Sequence, residues 1–296
     1  MTKPRDISLL RFEKVADTFA QGWAGAEYRV VHQGARDYVI YVASKKRALM
    51  MLCNTLGRVV FFPMIQAQNT RLSEASMAHW TLHWLDATGD LSAWRDRITA
   101  QINDAYRVMA PFVQPTSMDI LIERGNETVT PETGMRTDIA RPNLATLVFD
   151  PYNENFSATL KNGLIKRQMV NTSHRAMRAA GPGYGFTLGG AMVSEGLAAQ
   201  FVRLVFESAP EPWDRAISDD VLGKIWPDQR TMMTTKFDHG EWFSGAGDKP
   251  KWLGYTLGTK IVENWLLSGV ELTPNRLINV PAPKVLNAVP LQAMVS

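Results

Sequence analysis

The first 150 residues contain several short segments in which apolar and polar residues alternate. Alternation with a period of two is the pattern of a strand that buries one face. Residues 28–42 (YRVVHQGARDYVIYV) predict two strands joined by a turn at Gly34. Further strands are predicted over 57–65 (GRVVFFPMI), 117–124 (SMDILIER) and 143–151 (NLATLVFDP).

Other segments have the apolar spacing of helices, and these dominate the second half of the chain. Helices are predicted over 44–56 (SKKRALMMLCNTL), 73–86 and 91–108, the last two with Ser73 and Ser92 as N-caps, and then from residue 156 to about Gly269. Because a mixed α/β region comes first and helices dominate afterwards, the order predicts an α+β fold.

This order also predicts how the chain is organised. We expect a mixed α/β region over 1–155 and a helical region over 156–296, folded together as one compact unit. The last eighteen residues, 279–296, contain three prolines. They are predicted to form an extended tail on the surface, because proline interrupts helices and sheets.

Composition and charge narrow the class of protein. Hydrophobic residues make up 45% of the 296 residues and charged residues 21%, which is typical of a globular protein. The net charge is +3 and the basic residues are scattered, so we expect no nucleic-acid partner.

No long apolar run predicts a membrane span and no signal peptide is recognisable, so a cytoplasmic location is expected. The single cysteine, Cys53, allows no internal disulfide, and its apolar neighbours predict a buried, unreactive thiol.

One carboxylate lies in a predicted helix of small and apolar residues. It is Glu195, in the segment 183–201 (GYGFTLGGAMVSEGLAAQF), where a glycine-rich turn precedes the helix. A buried carboxylate requires a cation or hydrogen-bond donors. A second, more polar helix begins upstream at 171–178 (NTSHRAMR).

The second half of the chain resembles a bacterial family of predicted zinc-dependent peptidases, known as domain of unknown function 2268. The resemblance extends from about residue 140 to 268 and is carried by GPGYGFTLGGAMVSEGLAAQF, PWDRAIS, WPDQR, FDHGEWFSG and WLGYTLGTKIVENWL. It implies a zincin-like fold. In this family, a helix with the motif H-E-x-x-H supplies two zinc ligands and a general base, and the helix that contains Glu195 here supplies the third ligand.

The zinc motif itself is degenerate in this chain. With residues 176–178 (AMR) and the glycine-rich turn in register, the resemblance puts Asn171, Thr172 and Arg175 where the family has His, Glu and His. Asparagine is a weak zinc ligand, threonine does not accept a proton from water, and arginine is a permanent cation. His174 lies about 100° around the helix from Arg175, so it does not replace the second histidine. We therefore expect no metal, no cofactor and no activity by the ancestral metallopeptidase mechanism.

Two interpretations of these positions remain open. In the first, Arg175 pairs with Glu195 and links the two helices in place of zinc. In the second, Arg175 and Asn171 hold a carboxylate or an oxyanion while His174 or Glu195 moves a proton. The function that we expect first is the one the second interpretation predicts, a metal-independent hydrolase or lyase that acts on a small organic substrate in the former peptidase cleft. The alternative is a non-catalytic pseudopeptidase that binds a peptide or a protein partner there.

A pair of histidines offers a third hypothesis. His79 and His83 are four residues apart in a predicted helix, which is the spacing of two metal ligands on one helix face. With Glu195 they would form a divergent metal-dependent hydrolase; otherwise they are expected to line the cleft. The other predicted cleft residues are Tyr184, His239, Trp242 and Tyr255. The expected ligand is a small molecule or a peptide. Neither a nucleic acid nor a membrane is expected as a partner. The sequence does not predict an oligomeric state.

Overall fold

The structure is a computed structural model that describes residues 80–288 with their side chains and four earlier strands by their backbone alone. These four strands pair in sequence order as an antiparallel meander: β1 (Glu27–His32), β2 (Tyr38–Ala43), β3 (Ala48–Cys53) and β4 (Val59–Met64). The two strands around Gly34 and the strand over 57–65 are therefore confirmed. The side chain of Cys53 lies outside the described part.

The predicted helix over 44–56 is wrong, because residues 48–53 form β3. This segment, ALMMLC, is rich in residues that favour helices. In the folded chain, β3 pairs along its whole length with β2 on one side and β4 on the other. Pairing on both edges outweighs a weak local helix propensity.

Contacts within the chain define two compact units. Among the described residues, the mixed-sheet unit comprises residues 80–185 and 278–281, and the helical unit comprises the strands β1 to β4 and residues 186–277 and 282–288. The predicted boundary at residue 155 stays a prediction.

The mixed-sheet unit is built on a second sheet of four strands in the order β5-β6-β8-β7. Strands β5, β6 and β8 are parallel and β7 is antiparallel to β8; their bounds are β5 (Trp80–Trp84), β6 (Met118–Arg124), β7 (Met135–Arg141) and β8 (Leu144–Phe149). The strands predicted over 117–124 and 143–151 are confirmed. The strand β7 was not predicted, because its segment is rich in charged and small residues.

The predicted helix over 73–86 is wrong in its described part, which is the strand β5. Residues 65–79 lie outside the described residues, and Ser73 is among them. In β5, buried Trp80 is followed by exposed Thr81, and this alternation, together with parallel pairing to β6, is that of a strand. The short segment therefore follows a period of two, although its apolar residues also fit a helix.

Three helices complete the mixed-sheet unit: α1 (Arg95–Met109), α2 (Phe156–Lys161) and α3 (Leu164–Ala180). The helix predicted over 91–108 is confirmed, but Ser92 is not its N-cap. Instead, the carboxylate of Asp90 accepts hydrogen bonds from the N–H and the hydroxyl of Ser92 at 2.8 and 3.1 Å, and a 3-10 turn leads into α1. Helix α3 packs against α1 and against β7.

The helical unit is organised around two long helices, α4 (Leu188–Phe206) and α7 (Leu253–Leu267). Almost all of α4 is buried around its circumference, which is typical of a central helix. The two helices touch backbone to backbone: a Cβ atom added to Gly196 would lie 2.0 Å from the carbonyl oxygen of Gly258. Only glycine allows this approach.

Four shorter helices follow in this part of the chain: α5 (Asp219–Ile225), α6 (Gln229–Met232), α8 (Pro274–Asn279) and α9 (Ala282–Ala288). The predicted extended tail is wrong over residues 282–288, because α9 packs against α4 and α7 and buries Val285 completely. Pro281 and Pro283 lie at the start of α9, where a missing N–H does not interrupt the helix. The α+β class is confirmed, and none of the described helices is long and apolar enough to cross a membrane.

Candidate functional site

Helix α3 presents one half-buried face, and Asn171 and Arg175 lie on it. They are four residues apart in a continuous helix of 17 residues, so their side chains are neighbours. Gln168, one turn earlier, is also half-buried, whereas the residues 172–174 between Asn171 and Arg175 are buried. The helix therefore places Asn171 and Arg175 side by side on this face.

The guanidinium of Arg175 lies over an aromatic ring. Its central carbon is 5.6 Å from the centroid of the Tyr184 ring, which follows α3 in the glycine-rich turn. A cation at this distance is attracted to the face of the ring. Tyr184, predicted to line the cleft, is thus a direct neighbour of Arg175. The predicted pair of Arg175 with Glu195 is not tested by these contacts and stays a prediction.

The other two candidates on α3 are shielded from solvent. The side chains of Thr172 and His174 each have 0% exposure. A group that transfers a proton must come within hydrogen-bonding reach of its substrate. In this structure neither side chain has an exposed surface from which to reach a substrate.

A buried arginine at the end of α3 was not among the predicted site residues. Arg178 donates from Nη1 to the carbonyl oxygens of Ile278 and Val280 at 2.8 and 3.0 Å, and from Nη2 to that of Gly183 at 3.5 Å. Burial lowers the pKa of Arg178 to about 10. Arg178 thereby attaches both the glycine-rich turn and the segment 278–281 to α3. Arg178 is the last residue of the segment AMR, which was used to align this chain with the family. That segment was the signal in the sequence that could have pointed to Arg178.

Glu195 lies in α4, within the helical unit, and only 4% of it is exposed. Its neighbours Val193 and Leu197 are fully buried, so the prediction of a mostly buried helix around this carboxylate is confirmed.

A second buried carboxylate, Glu263 of α7, lies in a network of charged side chains in the same unit. Its Oε1 accepts from Arg203 Nη1 at 2.8 Å and from Gln200 Nε2 at 3.4 Å, and its Oε2 accepts from Arg215 Nη2 at 2.5 Å. Burial alone would raise the pKa of Glu263, but the charges of Arg215, Arg203 and Lys260 outweigh burial and lower it. Charged residues inside the apolar segments FVRLV and IVENW were the signal that sequence reasoning missed.

Asp214 belongs to the 3-10 turn Pro212–Arg215, which packs on α7. Its Oδ2 accepts from the Glu211 N–H at 3.1 Å in a capping box, and only 3% of the residue is exposed. Burial raises the pKa of Asp214 to about 7, although the hydrogen bond from Glu211 acts in the opposite direction.

The hypothesis of a histidine pair on a helix face is wrong. His83 lies on the strand β5 and its Nε2 is 2.7 Å from the Oδ1 of Asp119 on β6, where both side chains are partly exposed. His79 lies outside the described residues. Among residues 80–288, no three His, Cys, Asp or Glu side chains are grouped so that they could hold a metal ion.

The predicted cleft residues His239, Trp242 and Tyr255 all lie in the helical unit, where His239 and Tyr255 share Phe243 as a neighbour. The exposed ring of His239 stacks on Phe243 with centroids 4.3 Å apart, and Tyr255 meets Phe243 edge-on at 5.1 Å. Trp242 is buried, with the ammonium of Lys249 4.5 Å from its ring centroid.

An open cavity of about 530 Å³ also lies on this unit, and none of the predicted site residues lines it. Its lining residues are Arg230, Thr231, Met233, Thr234, Thr235 and Lys236.

The described residues define an α+β protein, with a mixed four-stranded sheet followed by a mainly helical region. A family model described as predicted zinc-dependent protease, domain of unknown function 2268, matches residues 98–287. The match covers more than half of the chain and runs from α1 to α9, so the chain belongs to this family. No curated protein and no solved structure matches it significantly.

Proposed function

We propose that this member of the family does not use a zinc-dependent mechanism and that the Asn171–Arg175 face of α3 binds a carboxylate group instead. The ligand is a small organic acid or the carboxylate of a peptide. In this proposal the chain is a pseudopeptidase that keeps the fold and a binding function.

The residues at the motif positions do not fit zinc. Protein zinc sites are built from Cys, His and carboxylate side chains. Asn171 offers an amide, and Arg175 brings a permanent positive charge. Thr172 is fully buried and has no basic group, so nothing at the position of the family's glutamate activates a water molecule. No step through a metal is therefore derived for this site.

The observation that carries the proposal is the placement of the Arg175 guanidinium over Tyr184, beside Asn171. A guanidinium donates two parallel hydrogen bonds to a carboxylate, and the amide of Asn171 adds a third donor on the same helix face. The ring of Tyr184 restricts the orientation of the guanidinium, which lowers the entropic cost of binding. Both polar side chains are half-buried, so each is shielded and still partly open to solvent.

A metal-independent hydrolase or lyase is the second candidate function. It requires His174 or Glu195 to move a proton, and these residues are 0% and 4% exposed. Catalysis therefore requires that substrate binding uncovers one of them. Binding requires no such change, and for this reason we place it first.

The proposal is tested by calorimetry with the full-length chain and pairs of ligands that differ only in charge. We expect N-acetylglycine and succinate to bind, and their amides to bind at least about tenfold more weakly, because hydrogen bonds to charged groups contribute more than neutral ones. Arg175→Gln should reduce carboxylate affinity at least about tenfold. The matched control is Arg141→Gln, an exposed arginine of the same unit, which should have no effect. Equal affinities for acids and amides, or an unchanged affinity in Arg175→Gln, would contradict the proposal.

A further inference from the structure

The first residue of the α7 region has an unusual backbone conformation. Trp252, the N-cap of α7, has φ 66° and ψ 15°, which is the left-handed region. A bulky side chain is rarely found there, because its Cβ comes too close to the backbone. Residues held in such conformations cluster at ligand-binding sites.

A second rare feature lies eight residues before Trp252. Residues Gly240–Ser244 form a π-helix, a geometry that occurs mostly at functional sites. Phe243 of this π-helix is fully buried and packs against Tyr255 in the first turn of α7. The π-helix therefore supports the same end of α7 that the strained tryptophan begins.

Four partly exposed rings surround this point, and we call them the aromatic surface: Trp213, His239, Trp252 and Tyr255. Trp213 meets Trp252 edge to face with centroids 6.4 Å apart. The backbone of Trp213 is held in place, since its carbonyl oxygen accepts from Thr256 Oγ1 at 3.1 Å. His239 and Tyr255 rest on the same buried ring of Phe243. The rings are thus fixed by packing before any ligand arrives.

One cation, Lys251, lies beside the ring of Trp252. The ammonium of Lys251 lies 4.9 Å from the ring centroid of Trp252. A cationic ligand would be repelled from this position, whereas an anionic group would be attracted to the ammonium. A planar ring would at the same time find indole faces and edges on which to stack.

We propose that the aromatic surface binds an aromatic carboxylate, whose ring stacks on Trp252 and Trp213 and whose carboxylate pairs with Lys251. The ligand is either a small aromatic acid or the C-terminal aromatic residue of a peptide. This site lies in the helical unit and does not depend on the function proposed for Asn171 and Arg175.

The test follows the indole N–H resonances of the ¹⁵N-labelled full-length chain by NMR, assigned with Trp→Phe variants. Phenylacetate represents the small acid and N-acetylphenylalanine the peptide end. We expect at least one of them to shift the resonances of Trp213 and Trp252, and the one that binds more tightly identifies the source of the ligand. Cyclohexylacetate, which has the charge without the aromatic ring, should bind at least about tenfold more weakly. Trp226, a half-buried tryptophan of the same unit outside the aromatic surface, is the internal control.

Two variants separate the roles of the ring and the charge. Asparagine tolerates the left-handed conformation of residue 252, so Trp252→Asn removes the ring with little backbone strain. This variant should abolish the ligand-induced shift at Trp213. Lys251→Met should weaken binding of phenylacetate and leave binding of phenylacetamide unchanged; it keeps the proposal testable if Trp252→Asn does not fold. The proposal is overturned if neither acid shifts Trp213 and Trp252, if cyclohexylacetate binds as well as phenylacetate, if Trp226 shifts as much as they do, or if Lys251→Met binds phenylacetate with unchanged affinity.

Discussion

Replacing Asp214 by asparagine should change how the stability of the chain depends on pH. Burial raises the pKa of Asp214 from its ordinary value of 3.8 to about 7, so the folded chain keeps a proton that the unfolded chain has already lost between these two values. Unfolding then releases a proton, and the free energy of unfolding falls as the pH rises through this window. Above pH 7 this loss of folding stability is complete, and below pH 3.8 it is absent.

The size of the effect follows from the same two values. A pKa difference of about three, at about 1.4 kcal/mol for each unit, corresponds to roughly 4 kcal/mol in the free energy of unfolding. Asparagine carries no titrating proton and keeps an oxygen that accepts from the Glu211 N–H. Relative to the wild type, Asp214→Asn should therefore gain a few kcal/mol of stability between pH 4 and pH 8.

Urea denaturation of both proteins at several pH values measures this difference directly. The control is Asp220→Asn, an exposed aspartate in α5, for which the difference from wild type should be nearly constant with pH. A flat difference for Asp214→Asn would refute the reasoning. A difference that falls as the pH rises would show instead that ionised Asp214 is stabilised by Arg203 and Arg215.

Three further substitutions test the packing and the charge pairs. Gly196→Ala should destabilise the chain by more than about 2 kcal/mol in urea denaturation, because the added Cβ would lie 2.0 Å from a backbone oxygen of α7; a neutral effect would contradict the backbone contact. Glu263→Gln leaves two arginines facing a neutral amide and should cost about 3–5 kcal/mol, whereas a loss below 1 kcal/mol, about the value of an exposed pair, would show that solvent screens this network. If Arg175 pairs with Glu195, Arg175→Ala should lower the free energy of unfolding by a similar amount, about 3–5 kcal/mol. An unchanged urea midpoint in this variant would exclude that pair.

The fold was predictable where local pattern and tertiary environment agree. The amphipathic spacing of α1 and the apolar sequence of α4 predict helices, and helices form there. The segments ALMMLC and WTLHW are short and apolar enough to fit either period, and their pairing with neighbouring strands decides in favour of β3 and β5. Helix α9 was missed because its prolines occupy the first turn, where they are compatible with a helix.

The candidate site was predictable only as far as it depends on one helix. The spacing of Asn171 and Arg175 puts them on one face of any helix that contains both. The placement of Arg175 over Tyr184 depends on the path of the glycine-rich turn, which residue types alone do not determine. The Arg203–Glu263 pair joins residues 60 positions apart, and it exists only because α4 and α7 cross so closely.

The central claim is that this chain has given up zinc at the motif positions, and the zinc content of the purified full-length protein tests it most directly. The wild type is compared with the variant Asn171→His, Thr172→Glu, Arg175→His, which restores the family's motif, after both are dialysed against the same zinc-containing buffer and then desalted. Elemental analysis should find close to one zinc per chain in the restored variant and far less in the wild type. One tightly held zinc per wild-type chain would contradict the account.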